Sequence, residues 1–133
     1  MVKVKVLIVD DDPSARRLMR DSLSLLGDEY DILEADDGES ALHLLRATRP
    51  DVVLLDITMP HLGGIPVCSE IKRDPATAHT HIVIVSARTE RDFISASLNA
   101  GASDYLTKPF QPSELVRRVR RLLEKAEAEP VVG

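Results

Sequence analysis

Three consecutive carboxylates, Asp10, Asp11 and Asp12, follow directly on the apolar run Val6-Leu7-Ile8-Val9, and a fourth, Asp56, follows Val52-Val53-Leu54-Leu55. Uninterrupted apolar runs of this kind mark strands covered on both faces. In a parallel sheet the residues just past such strands meet at the carboxyl edge, where ligands bind. The acids are therefore expected to converge. Carboxylates crowded into one crevice repel each other and raise one another's pKa, a cost that a divalent cation relieves while leaving one oxygen free to react. The chemistry suggested is a magnesium-assisted phosphoryl site. Two more polar groups stand just past expected strands: Ser86 after the apolar run Ile82-Val83-Ile84-Val85, and Lys108 beyond the short strand Asp104-Tyr105-Leu106.

The elements that must position these groups follow from periodicity and punctuation. Pro13 suits the first turn of a helix, and Ala15, Leu18, Met19, Ser22, Leu25 and Leu26 recur at three-and-four spacing up to Gly27. Asp31–Ala35 forms a short strand, Asp36-Asp37-Gly38 a turn, and Ala41, Leu42, Leu44 and Leu45 the apolar side of a second helix that stops before Pro50. Beyond the strand that ends at Asp56, Met59–Gly64 is a loop and Ile65–Lys72 a third helix, with Pro66 tolerable only in its first turn. Ile82–Val85 is another buried strand, and Asp92–Ala100 a helix closed by Gly101. Asp104–Leu106 gives a last strand, Thr107–Phe110 a loop, and Leu115, Val119, Leu122, Leu123 and Ala126 the stripe of a final helix. Strict alternation of strand and helix with short connections predicts a three-layer α/β domain, with a parallel sheet, right-handed crossovers and helices on both faces. From residue 126 to 133 the periodicity fades around Pro130, so this stretch is a tail or the start of a linker.

Composition narrows the function classes. A chain of 133 residues suits one core rather than two. The net charge of −5 gives no basic footprint for nucleic acid or an anionic membrane. Aromatics make up 3% of the chain and Trp is absent, which leaves few platforms on which single-stranded bases could stack. Cys68 is the sole cysteine and cannot form an internal disulfide, and no apolar stretch approaches the roughly 20 residues needed to span a bilayer. Met1–Lys5 runs straight into a strand without a cleavable leader, so a cytoplasmic location is the expectation.

Four features occur in order: Asp10-Asp11 at a strand end, Asp56-x-x-Met59-Pro60, Ser86-Ala87 at a strand end, and Asp104-Tyr105-x-x-Lys108-Pro109-Phe110. Together they resemble the receiver domain of two-component response regulators, from about Val4 to Glu124. The resemblance implies a flavodoxin-like (βα)5 fold with strand order 2-1-3-4-5, residues 1–125 forming the receiver. It implies that Asp56 is the phosphoacceptor, taking a phosphoryl group from a histidine kinase or histidine phosphotransfer protein. Magnesium would lie on Asp11, Asp56 and the backbone carbonyl of Thr58, with Asp10 acting largely through a water. Lys108 and Ser86 would serve other phosphoryl oxygens, so that the charge of the transferred group has partners on each side. The resemblance further implies a cis peptide before Pro109 and a switch in which the Ser86-Ala87 loop moves and Tyr105 turns from exposed to buried. The readout would be the face of the fourth helix, fifth strand and fifth helix, controlling a downstream protein or effector domain or forming a homodimer. Such a domain is a regulatory phosphoacceptor, assisting its own phosphorylation and dephosphorylation, rather than an enzyme.

Plainer readings stand beside these. Alone, Lys108 would be a surface lysine, Ser86 a helix N-cap, Tyr105 a core residue on an edge strand, and Asp12 an N-cap before Pro13. Arg117, Arg118, Arg120, Arg121 and Lys125 share a helix with Glu114 and Glu124 and suit a solvated face. His79 and His81 have a spacing that zinc sometimes uses, without companion ligands. Two departures from the family pattern matter locally. Leu62-Gly63-Gly64 replaces the usual Met-Asp-Gly, and His81 replaces a frequent proline; Thr58 and Arg88 flank the place where water would attack an acyl phosphate. An aspartate-nucleophile phosphohydrolase of the haloacid-dehalogenase type would want a second acid where Thr58 stands. A flavodoxin-like flavin or nucleotide binder would want a Gly/Ser/Thr-rich loop where the acids stand. A scaffold that signals without phosphate has no need of the full set.

Overall fold

Uninterrupted Val, Ile and Leu runs form the body of the three central strands, because only side chains content on both faces can lie between two helical layers. The computed structural model describes residues 3–27 and 30–128. Its strands are β1 (Val4–Val9), β2 (Tyr30–Ala35), β3 (Val52–Leu55), β4 (His81–Ser86) and β5 (Asp104–Thr107). Every pairing is parallel and the order is β2-β1-β3-β4-β5, the flavodoxin-like arrangement expected. Val6–Val9, all of β3, and Ile82–Val85 are wholly buried. The edge strands are mixed, β2 exposing Asp31 and Glu34 and β5 exposing Thr107, as expected where a strand has a neighbour on one side only.

Successive strand residues face opposite layers, and the core divides accordingly. Leu7, Val9, Val53, Leu55, Ile82 and Ile84 pack with Leu45 of α2 (Gly38–Thr48) and Val67 and Ile71 of α3 (Gly64–Arg73). Val6, Ile8, Val52, Leu54, Val83 and Val85 pack with Met19 and Leu23 of α1 (Pro13–Leu23) and Leu115 and Val119 of α5 (Pro112–Ala128). Each such buried aliphatic side chain is worth ~1.5–3 kcal/mol relative to exposure, so these two layers dominate the stability. By that measure α4 (Arg91–Asn99) is lightly held: its one fully buried residue is Ser97, and Leu98 is about half exposed. Cys68 lies in the α3 layer, where burial pushes its thiol up to about 11.

Local chemistry fixes the ends. Asp12 accepts a hydrogen bond from Ser14 N at 3.0 Å and Pro13 opens α1, so the reading of Asp12 as an N-cap holds. The regular helix expected to reach Gly27 tightens instead into a 3-10 turn, Ser24–Leu26, with Gly27 N donating to Ser24 O; Gly27 then takes φ 92°, open to glycine at no steric cost. Asp37 caps α2 through Ser40 N at 2.7 Å. By contrast Gly63, standing where the family usually has Asp, leaves α3 without a side-chain cap. Helix α5 runs through Ala128, and the rest of the tail expected from residue 126 lies outside the described residues.

Gly64 is required by space rather than by φ. Its N donates to Ile57 O at 2.9 Å, and a Cβ there would overlap the backbone carbonyl of Asp56. Gly64→Ala is therefore expected to cost at least the ~1–3 kcal/mol typical of forced overpacking. A fall in the urea midpoint at unchanged slope is the checking measurement, and an unaltered midpoint would show that the loop yields freely.

Candidate functional site

Level registration of the central strands (Val9 beside Leu55, Leu55 beside Ile84, Ser86 beside Thr107) delivers their next residues to one edge. Asp10 follows β1, Asp56 follows β3, Ser86 ends β4, and Lys108 follows β5. Lys108 N donates to Ser86 O at 2.8 Å, and the Lys108–Pro109 peptide is cis, as the resemblance implies. The Lys108 ammonium then donates to Asp10 Oδ2 at 2.7 Å and to Asp56 Oδ2 at 3.1 Å. Asp10 is fully buried, and its Oδ1 accepts from Asp12 N at 2.9 Å. Asp56 Oδ1 accepts from Thr58 N at 3.2 Å.

Asp11 completes the acidic group from an exposed position. One carboxylate oxygen from each of Asp10, Asp11 and Asp56 lies within 4.8 Å of the others, the sole cluster of this kind among the described residues. His79 and His81 take no part in it. Burial raises the pKa of Asp10, and the charge of Asp56 adds to the rise, against the bonds from Lys108 and Asp12. Burial also works against the Lys108 ammonium, but its bond to Asp10 and the charges of Asp56 and Asp10 outweigh that, leaving its pKa raised. Three carboxylates against one ammonium form a hard, oxygen-rich and under-neutralised donor set. It fits a hard divalent cation such as magnesium, and fits neither a soft metal nor an unassisted anion.

Thr58, Ser86, Ala87 and Arg88 line one crevice with Asp56, about 410 Å3 in volume. Ser86 is buried, and its Oγ accepts from Arg88 N at 3.2 Å. The plainer reading of Ser86 as a helix N-cap is not what forms: Glu90 holds the cap position of α4 without a side-chain bond, and Ser86 stabilises the turn leading to it. Tyr105 stands farther out, partly buried, its hydroxyl donating to Arg88 O at 2.6 Å; burial raises its pKa. The Arg88 guanidinium lies 5.0 Å from the Phe93 ring centroid, and its Nη1 is 3.4 Å from Glu90 Oε1.

All the residues singled out thus reach this edge, with Asp10, Asp11, Asp56 and Lys108 clustered, Thr58, Ser86 and Ala87 around them, and Tyr105 at the rim. Sequence reasoning missed two groups. Gly64 backs the Asp56 carbonyl, and Arg16 donates to Asp10 O at 2.6 Å. Gly64 carried a faint signal as part of a loop motif, whereas nothing local marks Arg16, whose partners lie on β2 and the acidic loop.

The family model described as the response regulator receiver domain matches residues 6–120. The DNA-binding response regulator MtrA of Mycolicibacterium smegmatis is 40% identical over 129 residues, which cover 97% of this chain and 54% of that protein. The chain spans about half the length of the curated relatives it matches. Among solved structures, the chemotaxis protein CheY4 of Vibrio cholerae superposes with a TM-score of 0.83 at 29% identity, covering 90% of this chain and 98% of that one. A BeF3-activated DrrB receiver domain superposes at 0.82 with 30% identity, covering 92% and 98%. No helix among the described residues is long and apolar enough to cross a membrane.

The raised pKa of Lys108 has a sign that can be checked. Its folded value exceeds the ordinary 10.5, so its contribution to stability is fully present below that pH and is lost as pH rises through the folded value. In metal-free protein, urea midpoints of the wild type are expected to fall more steeply above this pH than those of Lys108→Met. Parallel alkaline limbs would contradict the pairing.

Proposed function

The chain belongs to the receiver domains of two-component response regulators, a regulatory family, and from that footing we propose that Asp56 is the residue through which it receives its signal. A phosphorylated histidine of a histidine kinase or phosphotransfer protein supplies the group. An Asp56 carboxylate oxygen attacks phosphorus as the phosphorus–nitrogen bond breaks, leaving an aspartyl phosphate and a neutral imidazole once its nitrogen is reprotonated. The observation that carries this reading is the bifurcated grip of Lys108 on Asp10 and Asp56, which puts an ammonium beside the acceptor oxygen.

Asp10, Asp11, Asp56 and the Thr58 carbonyl are the proposed ligands of magnesium, which when bound would neutralise phosphoryl oxygens that the acids alone would repel. Lys108 can carry an N–H from the Asp56 carboxylate to a phosphoryl oxygen. The Ser86 hydroxyl, whose oxygen accepts from Arg88 N and which also faces the Tyr105 hydroxyl, would turn to donate to another. Movement of Ser86 and Ala87 toward the phosphoryl group draws on the loop that Tyr105 grips through Arg88 O, and so reaches α4. This gives phosphorylation a mechanical route to a surface through a few charge-assisted hydrogen bonds.

Residues 1–125 would be the switch and 126–133 a tail or linker, toward an effector domain or a separate downstream protein. The face of α4, β5 and α5 is the proposed readout and homodimer surface, and the setting is cytoplasmic. Direct contact with nucleic acid is not assigned to this chain; the name of its mycobacterial relative describes a protein about twice as long.

Beryllofluoride, which mimics a bound phosphoryl group, tests the assignment. Added with magnesium, it should shift the NMR signals of Ser86, Ala87 and Tyr105 in the wild type and leave Asp56→Asn unchanged. A response independent of magnesium or of Asp56 would refute it. Arg88→Ala, measured by decay of acetyl-phosphate-derived phosphoprotein, should alter the dephosphorylation rate several-fold; an unchanged rate removes Arg88 from control of the attacking water.

A further inference from the structure

Asp10 and Asp56 are held by Lys108 and by backbone amides, whereas Asp11 has no hydrogen bond or ion pair to its side chain among the described residues. Its direction must therefore come from its backbone. The peptide joining Asp10 to Asp11 is a rigid plane, so a group that grips the Asp10 carbonyl also sets the Cα from which the Asp11 carboxylate hangs. Arg16 is that group. Its Nη1 donates to Asp10 O at 2.6 Å, and its side chain is only 18% exposed.

The guanidinium is itself aimed from outside the site. Arg16 Nε donates to Glu34 Oε1 at 3.2 Å, and Glu34 Oε2 accepts from Arg20 Nε at 2.7 Å, so one carboxylate on β2 braces two arginines a turn apart on α1. Arg20 also reaches Ile32 O at 3.3 Å, and Asp10 N donates to Ala35 O at 3.2 Å. The acidic loop is thus tied to the edge strand on both sides of Asp10's peptide groups.

We propose that Arg16, oriented by Glu34, is a positioning residue that fixes the Asp10–Asp11 peptide and thereby gives the acidic cluster its preference for a small, geometrically demanding divalent cation. The inference rests on the assignment of these acids to magnesium. Arg16 touches no metal; it acts on the frame that carries a ligand, as outer partners of metal sites do. Magnesium demands near-ideal octahedral geometry, while calcium accepts irregular oxygen sets, so loosening Asp11 should weaken the first more than the second.

The test is calorimetric titration of the full chain with magnesium chloride and, separately, calcium chloride, comparing the wild type with Arg16→Met, Glu34→Gln and Asp11→Asn. Arg16→Met keeps most of the apolar stem and removes the donors. It should bind magnesium roughly tenfold more weakly, the lower end of the loss seen when an outer partner is removed, with a clearly smaller loss for calcium. Glu34→Gln should show the same narrowing of selectivity in milder form, and it carries the test should Arg16→Met fail to fold. Unchanged magnesium affinity, or equal weakening for both cations, in the variant that folds would overturn the inference, because a purely structural loss scales both affinities alike. Wild-type protein that binds no magnesium, or Asp11→Asn that binds it as well as wild type, would instead overturn the metal assignment beneath it.

Discussion

Two carboxylates brought to one sheet edge share a single ammonium, and much of the site's architecture answers that arrangement. Unit charges about 4 Å apart repel by roughly 4 kcal/mol at the effective dielectric near a protein surface, against about 1 in water. Asp10 has no solvent to soften this, being fully buried. Lys108 reaches both acids, two backbone amides take up the remaining oxygens, and the third acid, Asp11, is left in solvent where its charge is best tolerated. The balance remains short of neutral, with one ammonium against three carboxylates.

Much of this was legible in the chain because the central strands are buried on both faces. That constraint forces four-residue apolar runs, and the runs locate the sheet edge to the residue, so Asp10, Asp56 and Ser86 fall out of position alone, whereas Lys108, past a mixed edge strand, needed its Lys-Pro motif as well. Strand order came from resemblance to a family, since periodicity cannot choose among parallel arrangements. What escaped depends on contacts between residues distant in sequence. Arg16 meets Glu34 only after β2 has folded beside β1, and Gly64 meets the Asp56 carbonyl only once α3 has docked. Ser86 shows how a plainer reading gives way, since a residue suited to capping a helix bonds instead to the turn before it. The last turn of α1 likewise tightened where Ser24 and Gly27 offered a shorter closure.

The helices are unequally secured, and the inequality is placed where a switch would use it. α2, α3, α1 and α5 bury aliphatic stripes in the two layers, while α4 buries Ser97 and keeps Leu98 partly in solvent. Elements with few buried apolar contacts open at low free-energy cost. The segment from Ser86 at the end of β4 to α4 carries the carbonyl gripped by Tyr105, so it joins the crevice beside Asp56 to the most lightly held helix.

Ninety-eight positions separate Asp10 from the Lys108 that balances it. A ribosome therefore exposes the acidic loop long before its counter-charge emerges, and a nascent chain that has already paired its first four strands carries an electrostatic deficit until β5 arrives. The last strand answers that deficit only in part, since its one ammonium faces three acids. Closure of the sheet by β5 is then also the step that brings a counter-charge to its acidic edge.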